Sequence, residues 1–314
     1  MQDTWTIKAA LDWTQGYLER KGDENSRLSA QWLLCAATGL SRIDLYTHFD
    51  QPLSPEERET LRGQVTRRGT GEPLQYITGE VGFRYITLKV EPGVLIPRPE
   101  TEVLVGLGLA ALGAHDRAAD GEQDRLPESG AVPATEPEPD GYLVADLCTG
   151  TGCVACSIAH ENPAAHVIAT DISPDAVQLA RKNSEALGLD ARIEVIECDL
   201  GAGIDAQLMG TFDLVISNPP YVPSSVVKTI PDEVKNFEPA LALDGGPDGL
   251  DLFRRLLPFA HGALKPGGTL AVELHEEGME HAVSLAEKAG FTAVKIVHDL
   301  ADKPRVLVAI RKEA

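Results

Sequence analysis

Apolar residues recur at helical spacing through the first part of the chain. Ile7, Leu11, Thr14 and Leu18 share one face, as a 3.6-residue period requires. Ser26 stands where it can cap a second helix carrying Leu33, Leu34, Ala37 and Leu40, with Gly39 near its end. Ser54-Pro55-Glu56-Glu57 marks another start: a Ser cap, a Pro at the first helical position, and a Glu three residues past the cap. Residues 1–72 therefore predict a small helical domain. Trp5, Trp13, Tyr17 and Trp32 fall in it and are expected to pack as core rather than form a recognition surface.

From Pro73 the period changes. Leu74-Gln75-Tyr76-Ile77 and Tyr85 to Val90 alternate and are rich in β-branched and aromatic residues, with Gly79 and Gly82 between them. Residues 73–98 thus predict a β-hairpin linker. Ile96 to Glu102 leads into an apolar helix through Leu112. Residues 114–141 are rich in Asp, Glu, Pro, Gly and Ala, with few large apolar groups to offset the entropy of ordering. They are expected to be a disordered acidic insertion.

Strands and helices then alternate. Strands are predicted at Tyr142–Leu147, His166–Asp171, Arg192–Glu197, Phe212–Ser217, Thr269–Leu274, Ala293–His298 and Val306–Ile310. Helices are predicted near Gly152–Glu161, Pro174–Leu187, Leu250–Leu264 and Gly278–Ala289, with Gly188 and Gly290 as stops. This predicts a seven-stranded, largely parallel, Rossmann-like α/β sheet over residues 99–314, covered on both faces. The short link at Ala301–Pro304 makes the last two strands antiparallel neighbours.

Composition narrows the function. The 314 residues contain no apolar run long enough for a bilayer, and Met1 to Ala10 lacks the pattern of a signal peptide. The cytoplasm is the expected location. A net charge of −20 argues against stable, sequence-independent nucleic-acid binding, which needs clustered Lys and Arg against phosphates. Of the five cysteines, Cys148, Cys153 and Cys156 are spaced C-x4-C-x2-C, with Cys198 downstream, as in a plant-type iron–sulfur site. A cluster there would fill the space a glycine-loop ligand needs, so small buried thiols are expected instead. The histidines show no metal-ligand spacing, and no metal is expected.

The candidate chemistry lies at the strand ends. Asp146-Leu147-Cys148-Thr149-Gly150-Thr151-Gly152 runs from strand to glycine-rich turn to helix. Its glycines admit close backbone approach, and free N–H groups at the helix start can bind a carboxylate such as the methionyl end of S-adenosylmethionine. Asp171 ends the next strand, placed for ribose hydroxyls. Asp199 ends the third, placed for an adenine amino group, with Leu200 against the ring. Gly150 to Ala155 also fits a dinucleotide-binding G-x-G-x-x-A pattern. Asp146, Asp199 and the tetrapeptide ending the fourth strand argue against that reading.

That tetrapeptide is Asn218-Pro219-Pro220-Tyr221. Consecutive prolines fix φ and remove donors. The Asn218 side-chain oxygen and the Pro219 carbonyl remain as acceptors, suited to a planar –NH2 group, with Tyr221 expected as an aromatic wall. Together these residues predict a class I, S-adenosylmethionine-dependent methyltransferase.

The chain resembles the release-factor glutamine N5-methyltransferase family, also called HemK or PrmC. The resemblance runs from about residue 25 to the C-terminus, apart from the acidic insertion. It rests on Glu72-Pro73-Leu74-Gln75-Tyr76-Ile77-Thr78-Gly79, on Pro92 to Glu102, on Asn218 to Tyr221 and on Glu238 to Asp251. It implies that the glutamine of the Gly-Gly-Gln tip of peptide-chain release factors is the substrate and that the helical domain helps hold the factor. It assigns the cofactor to the 148–152 loop, Asp171, the 199–200 region and Asn218, and the target amide to Asn218 and Pro219. Cys148 stands where the family's loop usually has glycine, and His275-Glu276-Glu277-Gly278 also departs from its pattern. An adenine or cytosine amino-methyltransferase acting on nucleic acid is the alternative, since those targets are also planar –NH2 groups.

Overall fold

The hydroxyl of Thr6 accepts the Ala9 N–H and starts α1 (Ile7–Arg20). In the computed structural model, which describes residues 5–113 and 141–312, this helix opens the first of two units. The acidic insertion expected over 114–141 lies outside the described residues, Gly141 excepted. α2 (Ser26–Thr38) follows. Ser26 does not cap it: Asn25 holds the cap position without a side-chain bond, and Ser26 is the buried first helical residue. After α3 (Arg42–Thr47), α4 (Pro55–Arg68) begins with the expected reciprocal Ser54–Glu57 capping box.

Two further sequence expectations fail in this unit. Leu74–Ile77 is not a strand but part of α5 (Leu74–Thr78), a single turn closed by left-handed Gly79. Trp13 and Trp32 are not core; they remain 47% and 40% exposed. Trp13 stacks on Tyr17 at a centroid distance of 5.3 Å, and the Arg42 guanidinium lies 5.6 Å from the Trp32 ring. The core consists of aliphatic residues such as Ile7, Leu18, Leu33 and Leu45.

The second unit begins with the hairpin β1 (Glu80–Phe83) and β2 (Ile86–Lys89), then α6 (Thr101–Ala111). Next come β3 (Tyr142–Leu147), α7 (Cys153–Glu161), β4 (Ala165–Asp171), α8 (Pro174–Ala186), β5 (Ile193–Glu197) and β6 (Phe212–Ser217). Short α9 (Ser224–Val227) and α10 (Asp232–Phe237) precede α11 (Asp251–Ala263), β7 (Leu264–Glu273), α12 (Met279–Lys288), β8 (Phe291–His298) and β9 (Pro304–Arg311). Segment Pro231–Glu238, with α10, belongs to the first unit, where Arg68 bonds both Asp23 at 2.8 Å and Glu233 at 3.0 Å.

The sheet order is β5-β4-β3-β6-β7-β9-β8. Pairs from β5 to β7 are parallel, and β9 runs antiparallel between β7 and β8, as the short link required. Side chains alternate between two apolar layers. Val144, Leu214 and Ile216 pack with α6 and α7 on one face; Ala145, Leu147 and Val215 pack with α11 and α12 on the other. The hairpin adds Phe83, Ile86 and Leu88 to the first layer. Its turn residue Arg84 forms a nearly buried bidentate pair with Glu161, at 2.6 and 2.8 Å.

Candidate active site

The strand order reverses beside β3, with β4 on one side and β6 on the other. Ligands of doubly wound sheets bind at the carboxyl ends of strands at such a point. A cavity of about 720 Å³ opens there, lined by Cys148, Thr149, Gly150, Thr151, Asp171, Asp199, Leu200, Asn218 and Pro220. Asp146, Gly152, Pro219 and Tyr221 do not line it.

Asp146 serves the glycine loop from behind. Its side chain is 1% exposed. Its Oδ2 accepts the Thr149 hydroxyl at 2.6 Å and the Ala155 N–H at 3.2 Å. The cap residue of α7, Gly152, has no side chain to take that third helical N–H, so Asp146 takes it. Burial raises the Asp146 carboxyl to about 7, against its hydrogen bonds. Gly152 is needed for packing: at φ +80°, a Cβ there would stand 3.2 Å from Ala180 Cβ. Gly150 differs. Nothing lies within 4 Å of its Cβ position, which leaves open space for a ligand beside its backbone.

Cys148 adopts φ +60°, a left-handed conformation that favours glycine. The loop thus carries a Cβ in a conformation that normally excludes one. Burial pushes the Cys153 thiol up to about 12 and raises Cys148 and Cys156 as well, which suits inert packing. Among the described residues, no group of three or more His, Cys, Asp or Glu could hold a metal ion.

Asp171 spans the crevice. Its Oδ2 accepts the Gly150 N–H and its Oδ1 the Ser173 N–H, both at 2.9 Å. Each oxygen retains a lone pair for a hydroxyl donor. Burial raises this carboxyl too. Asp199 is committed to an ion pair that the sequence did not reveal: Arg255 of α11 meets its Oδ2 at 2.5 Å. Leu200 lines the cavity at φ +50°.

In the tetrapeptide, Asn218 donates Nδ2 to Thr101 Oγ1 at 3.0 Å. This commits the –NH2 end of the amide to the protein and leaves Oδ1 as the acceptor. Pro219 is buried, and Pro220 faces the cavity. Tyr221 is not the aromatic wall expected. Its ring packs against the second apolar layer, and its hydroxyl donates to Glu273 Oε1 at 2.8 Å. It is a tether for the loop.

The Glu238–Asp251 stretch supports the same loop from outside. The Val222 N–H donates to Leu243 O and the Gly245 N–H to Val222 O, each at 2.9 Å. A Cβ on Gly245 would meet Tyr221 Cα at 2.6 Å, and one on Gly249 would meet Tyr221 O at 2.3 Å. These glycines exist because two backbones touch. Pro239 to Ala242 and Asp244 to Gly246 form a wall of the cavity. Sequence reasoning missed Thr101, Arg255, Glu273 and this wall. The available signal for Glu273 was a lone carboxylate within the apolar run Leu270 to Leu274.

Similarity to known proteins follows the same division. Residues 9–79 match the PrmC N-terminal domain, and residues 139–306 match a methyltransferase domain. A Geobacter sulfurreducens release factor glutamine methyltransferase is 42% identical, covering 92% of this chain and 91% of its own. Its Moorella thermoacetica counterpart is 37% identical over 98% of this chain and 99% of its own. At the level of fold alone, a T. thermophilus 16S rRNA methyltransferase solved with AdoMet and guanosine aligns with a TM-score of 0.50 at 18% identity. It covers 74% of this chain and 50% of its own. With relatives aligned almost end to end over helical domain, glycine loop and tetrapeptide, the chain belongs to the release factor glutamine methyltransferase family.

Proposed function

We propose that the protein transfers a methyl group from S-adenosyl-L-methionine to N5, the side-chain amide nitrogen, of the glutamine in the Gly-Gly-Gln motif of peptide-chain release factors. Family membership supports the reaction class. The observation that carries the site assignment is the fixed Asn218 amide, whose Nδ2 is held by Thr101 so that Oδ1 is left to accept.

The cradle fits the cofactor. Open space beside Gly150 admits the methionyl end, Asp171 has acceptors for ribose hydroxyls, and Leu200 offers an apolar surface for the adenine. Asp199 reaches an adenine amino group if it shares its carboxylate with Arg255. The bound cofactor supplies an electrophilic sulfonium methyl.

The chain's residues do the rest by positioning. An amide nitrogen is a weak nucleophile because its lone pair is delocalised into the carbonyl. Asn218 Oδ1 accepts one of its hydrogens, and the family resemblance assigns the other to the Pro219 carbonyl, although Pro219 is buried and does not line the cavity; such acceptors raise electron density on nitrogen and fix its direction. Such orientation removes up to about 7–11 kcal/mol of barrier in favourable cases. The nitrogen needs no base before attack; its proton leaves afterwards. Cys148 to Thr151 and Asp171 hold the cofactor, while Asp146, Gly152, Pro220 and Tyr221 hold the loops in shape.

Release factors act in the cytoplasm, and the enzyme is assigned there with them. Nucleic acid is not assigned as a partner, because the net charge of −20 opposes phosphate binding. The test is transfer of labelled methyl to an unmodified release factor, beside a factor whose Gly-Gly-Gln glutamine is replaced. Label on the first alone, lost with Asn218→Ala, supports the reading. Equal label on both factors, or on nucleic acid instead, overturns it.

A further inference from the structure

We propose that Arg255 is a specificity-determining residue of the cofactor site, where it and Asp199 together read the edge of the adenine ring. The proposal rests on the cofactor reading above and not on the identity of the methyl acceptor. Asp199 and Arg255 both line the cavity, as does Leu200. Arg255 Nη2 donates to Asp199 Oδ2 at 2.5 Å. Among the described residues this is the one side-chain bond that either residue makes. Asp199 Oδ1 and the remaining guanidinium N–H groups stay open to a ligand.

The pair does little to hold the fold together. The Arg255 and Asp199 side chains are 54% and 45% exposed, and ion pairs so open to water add little stability. The cofactor carries a net positive charge, so a cation in its site is unfavourable unless it is neutralised and put to use. Local packing presets the pair. A Cβ on Gly201 would overlap the Phe259 ring, so the turn after Asp199 lies directly against α11. Arg255 precedes Phe259 by four residues and shares that face of the helix. The result is an acceptor held beside a donor, since a carboxylate only accepts and a guanidinium only donates. Adenine presents the complement: its amino group donates, and the ring nitrogens flanking it accept. Asp199 Oδ1 takes the amino group, and an Arg255 N–H takes a flanking ring nitrogen. Hypoxanthine has an oxygen in place of the amino group and sets acceptor against acceptor at Asp199.

Titration calorimetry with S-adenosylhomocysteine and three analogues reads this without any methyl acceptor. The analogues carry hypoxanthine, 1-deazaadenine or 7-deazaadenine in place of adenine. In the wild type, the hypoxanthine analogue and at least one deaza analogue bind about tenfold or more weakly than the parent, the scale of a lost hydrogen bond to a charged group. Arg255→Ala weakens the parent by about the same factor and abolishes that deaza penalty, because the partner of the missing nitrogen is gone. Asp199→Asn can present an N–H to the hypoxanthine oxygen, and it brings that analogue to within about threefold of the parent. Both variants keep the wild-type unfolding midpoint, as the exposure of the pair requires.

Deaza penalties that persist in Arg255→Ala overturn the proposal, because Arg255 then acts by stacking or by charge and reads no edge. So does tighter binding of the parent by Arg255→Ala, which would mean that the ion pair withholds Asp199 from the adenine. Equal binding of the parent and the hypoxanthine analogue by the wild type overturns it as well. A lowered unfolding midpoint with loss of all binding in Arg255→Ala marks a merely structural role and has the same force. These failures leave the cofactor reading standing. A wild type that binds neither S-adenosylhomocysteine nor any analogue overturns the cofactor reading and this proposal with it.

Discussion

Replacing Asp146 with asparagine removes a titrating group from the base of the glycine loop while preserving an oxygen for Thr149 or Ala155. In the folded protein, burial holds this carboxyl at about 7, above its ordinary 3.8. The folded state thus binds the proton more tightly than the unfolded chain does. Stability from this group is fully present below pH 3.8 and is lost as pH rises through about 7. Integrated from about pH 5 to about pH 8, the loss is about 2–3 kcal/mol. Urea unfolding of both proteins at those two pH values measures it. The wild type is expected to lose about 2–3 kcal/mol more than Asp146→Asn across the interval. An identical pH dependence in the two proteins would refute the account of Asp146 as a buried, titrating anchor.

Two further substitutions test the architecture around the site. Gly249→Ala forces a Cβ to within 2.3 Å of Tyr221 O at φ +75°. The left-handed conformation alone costs about 1–2 kcal/mol. Denaturation should show at least that loss, and steady-state kinetics a fall in kcat larger than any fall in cofactor affinity; wild-type behaviour in both would contradict the buttress role. Arg84→Ala leaves Glu161 buried without its bidentate partner. It should lower unfolding free energy by about 3–5 kcal/mol, and a loss under 1 kcal/mol would show that the pair contributes little.

The parts of the site legible in the sequence are those where one short segment carries the whole constraint. The 148–152 turn is readable because strand, glycines and helix start are contiguous. Asn218 to Tyr221 is readable because consecutive prolines leave few backbone options. Residues whose partners are remote in sequence could not be read. Arg255 stands 56 positions from Asp199, and Asn218 stands 117 from Thr101. Tyr221 lies off the cavity and uses its hydroxyl rather than its face, a choice that an aromatic residue does not announce in the sequence. Leu74–Ile77 alternates like a strand, but four residues cannot separate a period of two from a helical turn. Trp13 and Trp32 show the limit of hydrophobicity as a guide to burial: both rings find partners, yet remain open to water.

The central claim is that Asn218 and Pro219 present one glutamine amide nitrogen for methylation. Mass spectrometric mapping of a release factor treated with the enzyme and S-adenosylmethionine tests it most directly. The account predicts the added mass of one methyl group on the Gly-Gly-Gln glutamine side chain, absent when the enzyme carries Asn218→Ala. A methyl group on another residue, or undiminished modification of that glutamine by Asn218→Ala, would contradict it.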